Sequence, residues 1–488
     1  MNESLKQKTI SGMIWNAIEK FGSSFFLFIS NLILARLLSP NDFGCIGMLM
    51  IFISLSNAII DGGFGNALIQ KKEPTQEDYS TIFYWNIFLS ITMYGLLYIS
   101  APAIAEFYKI PLLSDILRVQ GIVLIFNSLT LIQLNILKKK VAFKRITKIN
   151  LTATVVGTIL GITCAYTGLG VWSLVVKTLT TAVIGSLLYW NACYWRATGA
   201  FSWKSFSELF KFGGFMFLNT IVVTTSSNLM QLIIGKIFSA SVLGYYTQAR
   251  KMEDLPRGSF SAIVTNVIFP IFSSIQDDLF RVKNAAKKCM KAIAYINFPL
   301  MILLIVIARP LFFILFTDKW EQSIPYFQLL CISGIVLTPI EMNCRYIISL
   351  GKSSINLRIV SVQCISAIAL IFCGMPWQMT GILTGFILSY YITYVISAIY
   401  TGRLLNYGLL EQIKDCSPTL LLSLFAGVVS YSLSFLIVNS ILLLSCQCLM
   451  FAIMYICLSY LFKLDTFLLY SQIIKKIKFT NEKKIRKI

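Results

Sequence analysis

The chain contains no histidine. That removes imidazole as a general acid or base, as a metal ligand and as a proton relay near neutral pH. Charge is scarce too: 13% of the 488 residues are Asp, Glu, Lys or Arg, against 57% that are apolar. A soluble chain of this length would divide into domains and carry far more charge. No phosphate-cradling glycine loop or Walker motif occurs, and no pair of carboxylates flanks a site for glycosidic chemistry. The twelve cysteines lack metal-ligand spacing. Cys446 and Cys448 form a CxC, but alternate positions do not share a helix face, so the cysteines read as apolar filler of helices. No cofactor is expected.

What the chain has instead is long apolar runs, with a mean hydropathy of +0.75. A membrane-spanning helix needs roughly 20 apolar residues. Fourteen such runs can be read, at 9–37, 43–69, 80–105, 114–137, 146–166, 169–194, 207–235, 243–272, 289–308, 324–350, 355–373, 377–401, 416–437 and 439–462. The last two are separated by almost nothing. No small-residue cleavage site follows Met1–Ile10, so the start is expected to lead straight into the first span rather than serve as a cleavable signal. The fold class is all-α and polytopic.

The net charge of +21 could suggest nucleic acid as a partner. Its placement argues for a membrane instead. Lys138, Lys139, Lys140, Lys144, Arg145 and Lys148 share one loop, and Arg281, Lys283, Lys287, Lys288 and Lys291 fill another. The tail adds Lys475, Lys476, Lys478, Lys483, Lys484, Arg486 and Lys487, whereas the opposite loops hold only Lys109, Lys236, Arg309 and Lys319. This positive-inside asymmetry places both termini in the cytoplasm, and the basic tail is suited to anionic lipid.

A repeat is visible at an offset of 200. Residues 35–44, ARLLSPNDFG, align with residues 235–244, GKIFSASVLG. Arg36 meets Lys236, Ser39 meets Ser239, Gly44 meets Gly244, and Asn66 meets Asn266. Six spans lie between the copies, so the halves share one orientation, with a two-fold along the membrane normal. The expected divisions are a six-helix lobe at 1–200, a second at 201–405, two added helices at 406–465 and a basic tail at 466–488.

Polar residues inside spans are costly and therefore functional candidates. The first span places Asn16, Glu19, Lys20, Ser23, Ser30 and Asn31 on one face, and the second does so with Ser54, Asn57, Asp61 and Gly65. The seventh carries Thr220, Thr224, Ser227 and Gln231. The eighth is the most charged, with Arg250, Lys251, Glu253, Asp254 and Arg257 around Pro256. Arg250–Asp254 and Glu253–Arg257 have i, i+4 spacing, as does Glu341–Arg345 in the tenth. Lys177 and Arg118 stand alone in other spans and read as snorkelling side chains.

The stretches WNAIEKFG at 15–22, LARLLSPNDFG at 34–44, DGGFGNALIQKK at 61–72, LGYYTQAR at 243–250 and FPIFSSIQDD at 269–278 resemble the polysaccharide flippases of the MOP exporter superfamily, the Wzx/WzxC-like group. The likeness runs from about residue 5 to 400 and fades in the last spans. It implies a MATE-like fold of two six-helix lobes plus two C-terminal helices, with spans 1, 2, 7 and 8 lining a central cavity. It further implies flipping of an undecaprenyl-diphosphate-linked oligosaccharide at a bacterial inner membrane.

On that reading Lys20, Arg250, Lys251, Arg257 and Arg345 supply basic charge for the diphosphate. Asn16, Ser23, Asn31, Asn57, Thr220 and Thr224 line the path, and Glu19, Asp61, Glu253, Asp254 and Glu341 are candidates for ion coupling. The expected partners are the lipid-linked oligosaccharide, membrane lipid and other polysaccharide-assembly proteins, with the chain acting as a monomer. A small-molecule exporter of the same fold and a flippase for another lipid-linked precursor are the alternatives. A membrane glycosyltransferase or polymerase fits less well, because the longest outer loop, 308–323, offers only Asp318, Lys319 and Glu321.

Overall fold

The computed structural model describes residues 22, 24–198, 201–263, 272, 278–464 and 466–467. They form helices connected by short turns. Ten stretches among them are long and apolar enough to cross a membrane. One of these, Ser353–Leu405, bends at Met375–Trp377 into two helices that pack against each other. The chain divides into two compact units, Met1–Gln248 and Ala249–Ile488.

The first unit begins with α1 (Ser24–Leu37) and α2 (Pro40–Asp61). Ser39 starts α2: its hydroxyl accepts from the Asp42 N–H, the Asp42 carboxylate accepts from the Ser39 N–H, and Pro40 supplies a preset φ at the first position. The expected span 43–69 is broken. Gly62 and Gly63 both have positive φ, which ends α2 and starts the short α3 (Phe64–Gln70). A second capping box, Thr75 with Asp78, opens α4 (Gln76–Tyr108). The expected span 114–137 likewise divides at Ile122, into α5 (Leu112–Gly121) and α6 (Val123–Lys139).

The helices α7 (Phe143–Tyr166) and α8 (Trp172–Ala192) pack along each other. Gly157 and Gly161, one turn apart on α7, permit this. A Cβ at Gly157 would lie 2.8 Å from the Lys177 carbonyl oxygen, and one at Gly161 would lie 3.1 Å from that of Ser173. Small residues at such spacing let backbones approach where hydrocarbon gives no hydrophobic drive. α9 (Trp203–Ile237) lies against α2.

α10 (Ala240–Ile263) begins as α2 does, with Ser239 accepting from the N–H of Val242. The equivalence of Ser39 and Ser239 read from the repeat therefore holds at the level of caps. It also holds in packing: a Cβ on Gly44 would meet the Ala240 carbonyl oxygen at 1.7 Å, and one on Gly244 the Pro40 carbonyl oxygen at 1.8 Å.

In the second unit α11 (Leu279–Val306) packs on α13 (Ser323–Ser349) and α16 (Leu409–Tyr431). Asp278 caps α11 by accepting from the Phe280 and Arg281 N–H groups. The segment expected as an outer loop, 308–323, holds a short helix instead, α12 (Ala308–Phe316), and the turn after it buries Trp320 completely. α14 (Ser353–Gly374) and α15 (Gln378–Leu405) form the bent pair.

The two last spans are distinct helices, α16 and α17 (Ser440–Leu461), because Asn439 caps the second by accepting from Ile441 and Leu442. A reciprocal amide pair, Asn343 with Gln412 at 3.2 and 3.1 Å, ties α13 to α16 through fully buried groups. All twelve cysteines are unpaired.

Candidate functional site

The charged stripe of α10 folds around one side chain. Arg257 donates from Nε to Glu253 Oε1 at 2.9 Å, from Nη1 to Glu341 Oε1 at 3.1 Å, and from Nη2 to Asp254 Oδ1. Its guanidinium thus serves three carboxylates, two on α10 and one on α13. The helix continues through Pro256, so 253, 254 and 257 stay on neighbouring positions of one face.

Glu253 is wholly buried, and an unpaired carboxylate there would be very costly. Gly334 of α13 leaves room for it, since a Cβ at that position would stand 3.1 Å from Glu253 Oε1. Asn297 on α11 fixes this stretch of α13 by donating to the Gly334 carbonyl at 3.0 Å. Arg250 pairs with Asp254 at 3.4 Å and hydrogen-bonds the buried Tyr390 of α15.

Both i, i+4 pairs expected on α10 are therefore present. The pair expected within α13 is not, because Glu341 turns to Arg257 rather than to Arg345. Arg345, one helical turn further along, is half-buried and has no carboxylate partner among the described residues. Lys251 points to the exposed side of α10. Arg250, Lys251, Arg257 and Arg345 set four cations against the three carboxylates Glu253, Asp254 and Glu341, which leaves one positive charge. Arg257 is saturated by its three carboxylates, whereas Arg345 has none among the described residues.

The four candidate carboxylates among the described residues are engaged. Arg257 holds three of them, and Asp61, where α2 ends, accepts from the backbone N–H groups of Gly63 and Gly65. In the first unit Asn31 donates to Gln248 at 3.1 Å and links α1 to α10. Asn57 donates to the Ile53 carbonyl and accepts from Asn127 at 3.2 Å. Thr220 is half-buried, and the carbonyl of Thr224 accepts from Asn228 at 2.8 Å. Asn16, Glu19, Lys20 and Ser23 lie outside the described residues.

The two lone cations have specific partners. Lys177 donates to Ser30 at 2.7 Å, and the Arg118 guanidinium stacks 4.6 Å over the Tyr98 ring. Tyr390, Gly334 and the Glu341–Arg257 bond carry no sequence signature. Local spacing offers Glu341 a partner four residues away, while the one it takes is 84 positions distant.

A family model described as polysaccharide biosynthesis protein matches residues 33–325. The chain is 26% identical over 339 residues to the lipopolysaccharide biosynthesis protein WzxC of Escherichia coli (strain K12), covering 68% of each chain. It is 26% identical over 404 residues to an uncharacterized membrane protein in the cps region of Klebsiella pneumoniae, covering 81% of this chain and 82% of the other. To the teichuronic acid biosynthesis protein TuaB of Bacillus subtilis (strain 168) it is 24% identical, covering 72% and 73%.

Among solved structures, the lipid II flippase MurJ in an inward closed conformation matches with a TM-score of 0.78 at 15% identity, over 93% of this chain and 99% of that one. An inward-facing multidrug resistance MATE transporter of the MOP superfamily matches with a TM-score of 0.62 at 13% identity, over 80% and 98%.

Proposed function

We propose, from the premise that this chain belongs to the polysaccharide biosynthesis protein family of multi-pass membrane transporters and is not an enzyme, that it flips undecaprenyl-diphosphate-linked oligosaccharide repeat units from the cytoplasmic to the periplasmic leaflet of a bacterial inner membrane. Relatives named for lipopolysaccharide and teichuronic acid biosynthesis support a saccharide cargo. The fold shared with a lipid II flippase supports a lipid-linked one.

The observation that carries the reading is Arg345, a half-buried cation in a membrane helix with no described carboxylate beside it. A charge in that position is expensive unless an anion visits it. A diphosphate is such an anion, and a guanidinium can grip its oxygens through two parallel hydrogen bonds. The obstacle to crossing is the headgroup, because diphosphate and sugars lose hydration that hydrocarbon does not replace.

In this mechanism Arg345, with Arg250 and Lys251 of α10, replaces that hydration, and the polyprenyl chain stays in lipid. Alternating access then presents the headgroup to the other side. The Arg257 knot holds α10 to α13 while this happens. Both termini stay in the cytoplasm. Export of a cationic small molecule suits an uncompensated arginine poorly.

The test is export of saccharide in a strain lacking its own flippase, alongside uptake of undecaprenyl-diphosphate-linked saccharide by proteoliposomes of the purified chain. Restored export and headgroup translocation are expected. Normal membrane levels of the protein with neither activity, across a panel of repeat units, would overturn the reading.

A further inference from the structure

At one end of the first unit the inner ends of α4, α6, α7 and α8 enclose a cleft of about 430 Å³. Its walls include Pro74, Tyr79, Tyr194 and Trp195, and its rim carries Lys140 and Arg145. Both cations are exposed, and among the described residues neither is bridged to a carboxylate.

The aromatic wall is held in place. Trp195 donates to Gln76 Oε1 at 2.6 Å and meets the rings of Tyr79 and Phe83 edge-on, at 6.2 and 5.5 Å. Tyr194 is 92% exposed, an unusual position for a tyrosine unless its ring lies at a membrane–water boundary.

The turn carrying the two cations is equally fixed. Val141 N–H donates to Lys138 and Ala142 N–H to Leu137, both at 2.9 Å, which is the Schellman arrangement. The left-handed residue of that motif is normally glycine, yet here it is Val141 at φ 55°. A β-branched residue in that region is strained, and such strain persists where surrounding structure holds it. Lys139 anchors the same turn by donating to the carbonyls of Leu68 and Lys71.

We propose that this cleft binds the headgroup of an anionic phospholipid from the cytoplasmic leaflet. Lys140 and Arg145 would hold the phosphate, and Trp195, Tyr79 and Tyr194 would flank the glycerol region. Basic pockets between membrane helices on the cytoplasmic side take such headgroups. The location fits the same leaflet, on the orientation proposed above, because Lys138, Lys144 and Lys148 surround the turn. The site is separate from the charged knot and asks nothing of the transported substrate.

The detergent-purified full chain is titrated with dioleoyl phosphatidylglycerol or dioleoyl phosphatidylcholine, and bound lipid is counted by native mass spectrometry. This readout does not depend on orientation or on transport. Phosphatidylglycerol is expected to bind in preference to phosphatidylcholine. Lys140→Gln with Arg145→Gln should weaken phosphatidylglycerol binding roughly thirtyfold, at about 1 kcal/mol for each cation. Lys144→Gln, on the same loop but not lining the cleft, should keep the affinity within about threefold.

Equal binding of the two lipids would overturn the proposal, and so would a full preference in the double variant or an equal loss in Lys144→Gln. Displacement by millimolar inorganic phosphate would assign the cleft to a soluble anion. Stronger capture of undecaprenyl diphosphate would assign it to the substrate. Either result would also overturn it.

Discussion

Gly44 rests against the carbonyl of Ala240, and Gly244 rests against the carbonyl of Pro40. The two glycines hold equivalent places in the sequence repeat, and each contacts the first helical residue of the other copy's helix. Both are the kind of contact that a single methyl group would prevent.

Gly44→Ala and Gly244→Ala should therefore each destabilise the protein by about 1–3 kcal/mol or more, because the obstructing atom is backbone and not a movable side chain. The measurement is the melting temperature of the purified protein in detergent. Gly95→Ala, where a Cβ meets nothing within 4 Å, should be neutral or slightly stabilising. Equal melting of all three variants would show that the crossing is looser than described.

Arg257 is saturated by carboxylates, so its removal should act on folding before it acts on transport. Arg257→Ala is expected to cost about 3–5 kcal/mol through the carboxylates left behind. Adding Glu253→Ala should recover only part of this, because Glu341 still loses its partner. Adding Glu341→Gln as well should recover more. Thermal melts of the single, double and triple variants report the order. Full recovery in the double variant would mean that the Glu341 bond contributes nothing.

Arg345→Ala should leave melting near the wild-type value, since no described ion pair is broken. Saccharide export in a flippase-deficient strain should fall at least about tenfold, the loss expected from one charged hydrogen bond to an anion. Arg345→Lys should retain intermediate export, having charge without the planar fork. Wild-type export by Arg345→Ala would remove the residue from the transport path.

Lys71 offers a test by pH. It lies in the turn after α3 and bridges Asp78 at 3.0 Å and Glu208 at 3.3 Å. Burial alone would lower its pKa, but the hydrogen bonds it donates to Asp78 and Glu208, with their negative charge, outweigh that and raise it above the ordinary lysine value of 10.5. For a raised cationic pKa, the stabilisation is fully present below the ordinary value and is lost as pH rises through the folded-state value. Thermal stability should thus decline above pH 10.5 more steeply in the wild type than in Lys71→Met. Parallel declines would indicate that the bridges contribute little.

The sequence by itself determined the all-α, multi-pass character of the chain and the correspondence of Ser39 and Gly44 with Ser239 and Gly244. These follow from local composition and spacing. A span is a run of apolar residues, and an i, i+4 pair is two residues one turn apart on one face. The Arg250–Asp254 and Glu253–Arg257 pairs formed as that local spacing required, and Ser39 and Ser239, matched only as repeat positions, proved to be equivalent caps.

Tertiary structure alone decided which charge is satisfied by which. Glu341 had a partner four residues away and took one on another helix, because Arg257 presents three donor edges and the buried Glu253 and the half-buried Glu341 converge on it. That choice left Arg345 without a carboxylate among the described residues. It likewise brought Lys177 to Ser30 and Arg118 to the Tyr98 ring. Helix periodicity places a side chain on a face, but only packing decides what that face meets. In a membrane the cost of an unmet charge makes that meeting decisive.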